Sequence, residues 1–350
     1  MGGVILADIF QQTLFSNLNN YPLTVLLFVW LFGTMMWCAF SVVRHAEAVA
    51  ERLGEPYGTL VLTLSVIIIE VALLASIMLH GENNPTLARD AMLATLMIVL
   101  NAMVGTALLM GALRYWEQEY NAGARAFLVV IASLAVFALI IPNYTKTEPD
   151  PSQAPMKAVL FASITILFYV VFVIIQTVRH RAFFAEPSHS GRTEREHDAL
   201  HGGGGSSLAF HVAMLLLTLL PIVLLAQFLA IIVDFGIEDL GLPAPLGGIL
   251  IAVLVLSPEG LTAFHAALVN HLQRAVNVCL GSALATIGLT IPAVLTIGLI
   301  HLGLDEVQTV LLILTLFVSG LTFGGVRTNV LQGTVHILLF IVYVALIFSP

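Results

Sequence analysis

Apolar runs long enough to cross a bilayer recur along almost the whole chain, and no other feature restricts its fold so strongly. They cover about residues 22–43, 57–79, 89–113, 126–142, 157–178, 208–234, 245–270, 276–301, 307–323 and 329–348. A helix rises about 1.5 Å per residue, so roughly 20 apolar residues span the hydrocarbon core. Transmembrane strands are about half that length and alternate in polarity, which excludes a β-barrel. Hydrophobic residues make up 59% of the 350 and charged residues 10%, with a mean hydropathy of +1.00. No soluble domain of this length has such a balance. The expected fold class is an all-α polytopic membrane protein of about ten transmembrane helices.

Against that background two residues stand out. Glu70 and Glu259 each lie near the middle of an apolar run, one in each half of the chain. A carboxylate at the bilayer centre costs about 2.5–3.5 kcal/mol on insertion scales. No helix-packing requirement calls for that cost twice, and no Lys or Arg lies in the central part of any run to pair with either acid. The pair therefore reads as a cation and proton site at the membrane midplane, shared between two halves.

The boundary between the halves is the polar stretch 179–207, which contains four consecutive glycines and the histidines His180, His189, His197 and His201 among acidic residues. No ligand spacing in it matches a defined metal site, so it reads as a flexible linker, with divalent-ion or pH sensing as the alternative. Residues 1–21 read as an outward-facing lead-in. They hold no basic residue ahead of the first run and so do not resemble a secretory signal. Numbering the loops alternately puts ten arginines on one side, Arg44, Arg52, Arg114, Arg125, Arg274 and Arg327 among them. Only Arg89, Lys146 and Lys157 fall on the other. Positive charge accumulates on the cytoplasmic side, so both termini are expected outside and the linker inside. Net charge of −8 argues against nucleic acid as a partner. Cys38 and Cys279 sit in apolar runs and suggest neither a disulfide framework nor a metal cluster.

Five runs precede the linker and five follow it, so the second half must enter the membrane from the opposite side. If 22–178 and 208–350 share a fold, they form two inverted five-helix repeats. Arg89 follows Glu70 and Arg274 follows Glu259. Each arginine opens a helix that carries a polar residue 12 positions on, Asn101 and Thr286, amid small residues suited to close helix approach.

The segments FSVVRHAE (40–47), GEPYGTLVLTLSVIIIEV (54–71), LVLSPEGLTAFHAALVNHLQRAVN (254–277), GSALATIGLTIPAV (281–294) and GGVRTNVLQGTVH (324–336) resemble the calcium/cation–proton exchanger family. Within that family they are similar to its bacterial ChaA-type branch. The resemblance implies two inverted repeats, a bacterial inner-membrane location, and an ion site where the two acidic helices meet. It places Glu70 and Glu259 on the acids of the two repeat motifs. Many exchangers carry a Gly-Asn pair ahead of each acid; here Val66-Ile67 and Val255-Leu256 stand there. The expected activity is secondary antiport of Ca2+, with Na+ and K+ as further candidates, against protons. These ions are substrates, and no cofactor is expected.

Chemistry at two glutamates is consistent with that activity. Calcium takes about 6–8 oxygens, of which each glutamate supplies at most two. Asn101, Ser257, Ser282 and Thr286 are candidate further ligands or supports, with interhelical hydrogen bonding as their alternative role. Pro258 frees a carbonyl one turn before Glu259. His265 is a candidate proton relay, or else an ordinary packing histidine. Arg327, at a turn between two runs, reads as a cytoplasmic anchor. An intramembrane hydrolase would need an HExxH helix, a Ser–His pair or a Gly-flanked aspartate pair, and a selective channel a filter loop. The sequence contains neither set. A monovalent Na+/H+ or K+/H+ antiporter on the same scaffold remains the alternative substrate reading.

Overall fold

The computed structural model describes residues 18–53, 57–80, 86–120, 123–144, 154–176, 207–295, 303–325 and 327–348. Most of the expected lead-in and all but the last residue of the expected linker lie outside the described residues. Within them ten helices follow one another. The first half holds α1 (Tyr21–Leu53), α2 (Tyr57–His80), α3 (Leu87–Tyr115), α4 (Gly123–Tyr144) and α5 (Ala154–Ile174). The second holds α6 (Leu208–Glu238), α7 (Pro245–Leu268), α8 (Leu272–Leu295), α9 (Glu306–Thr322) and α10 (Val330–Phe348).

Seven of these helices are long and apolar enough to cross a membrane, and α2, α5 and α9 contain the shorter apolar stretches Thr63–Met78, Val159–Ile174 and Glu306–Thr322. Large apolar side chains such as Trp37, Val129, Phe317 and Leu331 point outward. Water would penalise such a surface, whereas hydrocarbon does not. The chain is a multi-pass membrane protein.

Capping explains where several helices start. Ser207 Oγ accepts the Phe210 amide at the head of α6. Asp305 and Gln308 form a reciprocal capping box before α9, and Asn329 with Gln332 repeats that pattern before α10. Each box satisfies backbone donors that a helix end leaves open. The first helix runs well past its apolar stretch and buries His45 and Val49 in doing so. There α1 meets α6, and the His45 and His211 rings face each other with their Nδ1 atoms 3.1 Å apart.

Irregular backbone falls inside three of the helices. Ile98–Met103 in α3 and Thr286–Thr290 in α8 are π-helical turns, and a third lies at Val136–Ile140 in α4. Beside the first two, helices approach closely. A Cβ built on Gly105 of α3 would lie 2.9 Å from His336 Cβ of α10, and one on Gly288 of α8 would lie 2.9 Å from Tyr169 Cβ of α5. Each contact joins a helix of one half to the last helix of the other.

The two ends of the bundle are tied by loops. At one end β1 (Gln118–Glu119) pairs antiparallel with β2 (Arg327–Thr328). Arg327 also pairs with Glu119 at 2.7 Å, and Tyr120 OH donates to Thr322 O at 2.7 Å. Arg327 thus takes part in this closure through its backbone pairing, with exposed ion pairs beside it. At the opposite end Arg89 Nη1 donates to Gly303 O at 2.9 Å, and Asn143 Nδ2 donates to Leu304 O. Loops next to α3 and α4 meet loops next to α8, α9 and α10 at both ends.

Candidate functional site

Glu70 projects from the middle of α2 and is 2% exposed. Its Oε2 accepts hydrogen bonds from Thr286 Oγ1 and Thr290 Oγ1, both at 3.0 Å. The two threonines open and close the π-turn of α8 and share one face of it. Glu70 Oε1 is buried with no hydrogen-bond partner among the described residues. One carboxylate oxygen is therefore fully engaged and the other is not.

Glu259 reaches the same place from α7. It is half-buried and lines a cavity of about 220 Å³ together with Thr63, Ser282 and Thr286. Thr286 thus touches Glu70 on one side and the Glu259 cavity on the other. Glu259 and the Ser282 hydroxyl lie within reach of each other in this cavity, and neither Glu259 Oε2 nor Ser282 Oγ makes a further hydrogen bond among the described residues. The two carboxyl groups lie within electrostatic reach of each other. Buried polar atoms nearly always find partners, so under-partnered oxygens on both glutamates call for an explanation. A bound proton or a desolvated cation supplies one.

The cavity has a direction. Its walls come from the late part of α1 (Val43, Glu47), from Gln176 just past the end of α5, from the late part of α7 (Thr262), and from the early parts of α2 and α8 (Thr63, Asn277). All of these lie toward the end that carries the β1–β2 pair. Glu47 lies within electrostatic reach of Glu259 and lines the same cavity. It is an acid that the hydropathy pattern alone does not mark, because it lies beyond the first apolar run.

The other sequence candidates are distributed differently. Ser257 Oγ turns back to Val253 O of its own helix. His265 is exposed on α7 and does not line the cavity. Asn101 is fully buried but belongs to another cluster: its Nδ2 donates to Thr315 Oγ1 at 2.9 Å, and its Oδ1 meets His336 Nδ1 at 3.1 Å. His336 Nε2 in turn meets Thr322 Oγ1 at 3.0 Å. Thr286 and Ser282 are brought to the glutamates; Asn101, Ser257 and His265 are not.

Thr290 was absent from the sequence candidates, yet it holds Glu70 as closely as Thr286 does. One signal would have found it. Thr290 follows Glu259 by 31 residues, the spacing that separates Asn101 from Glu70. No group of three or more His, Cys, Asp or Glu side chains suited to a resident metal occurs among the described residues.

Comparison with known proteins bears on this arrangement. A family model described as sodium/calcium exchanger protein matches residues 23–178 and 210–349. The chain is 39% identical over 334 residues to the protein named y4hA of Sinorhizobium fredii (strain NBRC 101917 / NGR234), covering 93% of this chain and 90% of that relative. It is 36% identical over 319 residues to the sodium-potassium/proton antiporter ChaA of Escherichia coli (strain K12), covering 89% and 86%. Among solved structures it is similar to native YfkE, with a TM-score of 0.72 at 18% identity, over 100% of this chain and 98% of the other.

Proposed function

The chain belongs to the sodium/calcium exchanger protein family, and from that premise we propose that it is a secondary cation/proton antiporter that exports Ca2+ against protons. The observation that carries the reading is the pairing of Glu70, clamped by two threonines, with Glu259, which faces a cavity across Thr286. Both are cation and proton ligands in this proposal, with Ser282 and Thr286 as supporting oxygens.

Charge couples the two fluxes. A pair of ionised carboxylates is neutralised by one divalent cation or by two protons, and the pair takes up protons as a unit. An empty site would have to cross an apolar barrier with both charges uncompensated. A penalty of several kcal/mol, at about 1.4 kcal/mol per tenfold, slows empty reorientation roughly 10³-fold. Cation movement one way is thereby tied to proton movement the other way. No resident cofactor and no covalent chemistry are needed.

The scaffold in this reading is a pair of inverted five-helix repeats, 22–178 and 208–350. The π-turns in α3 and α8 support it, as do contacts of each of these helices with the last helix of the other half. With the arginine-rich side inward, both termini face out, the membrane is the bacterial inner membrane, and the Glu259 cavity opens to the cytoplasm. The state described is then the one that loads from inside.

A second reading keeps the scaffold and changes the cargo to Na+ or K+. It is favoured by the name of the relative ChaA, a sodium-potassium/proton antiporter. A monovalent ion leaves one carboxylate charge over, so a proton must stay bound beside it.

An internal pH dye in energised everted vesicles separates these readings. Calcium is expected to drive proton efflux, and Glu70→Gln and Glu259→Gln each to abolish it at normal expression. A response to sodium or potassium alone would replace calcium as the cargo. Near-normal exchange in either glutamine variant would remove the paired-carboxylate mechanism.

A further inference from the structure

Where the late part of α1 crosses the start of α6, two imidazoles meet to which the exchange mechanism gives no part. His45 Nδ1 lies 3.1 Å from His211 Nδ1. His45 is 5% exposed, and its Nε2 is buried without a hydrogen-bond partner among the described residues. The Phe210 ring meets His45 edge-on and closes one side of the pair, while His211 is half-buried and leaves the other side partly open. Both rings stand on regular backbone. His45 lies inside a helix, and the Ser207 cap fixes the first turn of α6 that carries His211. Arg44, exposed and next in sequence, is a charged side chain that bears on His45. In the chain His45 falls between Val43 and Glu47, which form the α1 wall of the Glu259 cavity.

We propose that His45 and His211 form a regulatory site for a divalent metal of the zinc class, which clamps α1 to α6 and slows exchange. Imidazole nitrogens suit zinc, nickel and copper, whereas calcium prefers oxygen, so the site does not compete for the proposed cargo. Two imidazole nitrogens on one tetrahedral zinc lie about 3.3 Å apart, given zinc–nitrogen distances of about 2.0–2.1 Å. A small rotation of the rings takes the observed pair to that separation. In the contact as it stands one Nδ1 carries a proton and the other accepts it. Metal binding moves that proton to Nε2 of the same ring, and His45 Nε2 has no partner among the described residues to block it. Both imidazoles stay neutral, and water fills the remaining metal positions from the His211 side. With two protein ligands and the Arg44 charge nearby, binding is reversible, unlike that of a structural zinc with four. The brake on transport rests on the antiport reading. Access passes to the other face only if the Val43–Glu47 wall closes over Glu259, and a clamp at His45 holds that wall back. Binding itself is independent of that reading.

The test reads binding and transport separately, on the full chain. In detergent, zinc chloride is expected to raise the unfolding temperature of the unsubstituted protein and of Glu259→Gln, and magnesium chloride is not. His45→Ala and His211→Ala should each lose that rise. His211 is half-buried, so its variant guards against a folding defect in His45→Ala. In everted vesicles zinc should slow cation/proton exchange. The half-inhibiting concentration should increase at least about tenfold in either histidine variant, because one of two protein ligands is gone. Exchange without zinc should be unchanged in both. A zinc shift that survives in the histidine variants, or that is absent from the unsubstituted protein, would overturn the site. A shift without slowed exchange would overturn the brake alone. No exchange by the unsubstituted protein, with the zinc shift intact, would overturn the antiport reading and leave the metal site standing.

Discussion

The clusters around Glu70 and around Asn101 have similar settings and are finished in opposite ways. Each lies at a π-turn, beside a glycine that lets the last helix of the other half come close. Around Asn101 the polar atoms are nearly all used. Thr322, His336, Asn101, Thr315 and Met97 form one continuous chain of contacts, and only Ser319 Oγ nearby lacks a partner among the described residues. Around Glu70 and Glu259, Glu70 Oε1 stays open, Glu259 Oε2 has only Ser282 within reach among the described residues, and a cavity adjoins them. A saturated network gains nothing from an added ion, whereas an unsaturated one does. In the proposed function the open cluster is the binding site, and the saturated one has no room for an ion, although both are buried and polar.

Four variants press on that contrast. The largest effect is expected from Thr286→Val with Thr290→Val, which removes both donors to Glu70 and keeps the side-chain shape. Half-saturating cation should rise at least about tenfold, since each bond to a charged group contributes about 1.5–3 kcal/mol. The unfolding temperature in detergent should fall as well, because both bonds to the buried carboxylate are already made in this structure. If the double variant transported normally, the threonines would be packing and the comparison would fail.

Next come the two glycines. Gly288→Ala pushes against Tyr169, a wall of the open cavity that has room to yield. Gly105→Ala pushes against His336, which two hydrogen bonds hold in place, and against the Ile337 backbone nitrogen at 3.0 Å. Overpacking costs about 1–3 kcal/mol, and Gly105→Ala should fall at the upper end of that range with Gly288→Ala at the lower. Equal shifts in unfolding temperature would mean that both clusters are equally rigid.

The smallest effect is expected at Arg327→Ala. Its pairs with Glu117 and Glu119 are exposed, with the arginine side chain 62% accessible, and the β1–β2 pairing beneath does not need them. Exposed pairs contribute about 0–1 kcal/mol. A larger loss of stability would show that charge, not backbone pairing, closes this end of the bundle.

Much of this was legible in the sequence, and the limits fall at identifiable residues. Glu70 and Glu259 were conspicuous because an acid inside an apolar run is costly wherever its helix packs. Ser282 and Thr286 were also reachable, one turn apart in a helix rich in small residues. Ser257, His265 and Asn101 looked equally eligible and turned elsewhere: to Val253 of its own helix, to the exposed surface, and to Thr315 with His336. Thr290 and Glu47 looked ordinary and turned inward, one to hold Glu70 and the other to line the cavity.

The sequence by itself determined a multi-pass helical membrane protein with an acid in each half, because hydropathy and the cost of buried charge act on each segment separately. Tertiary structure alone decided which polar side chains meet those acids. That outcome depends on how each helix is rotated against its neighbours. A π-turn moves every later side chain around the axis without leaving a mark in the hydropathy pattern. Two such turns, in α3 and α8, set where Asn101, Thr286 and Thr290 point.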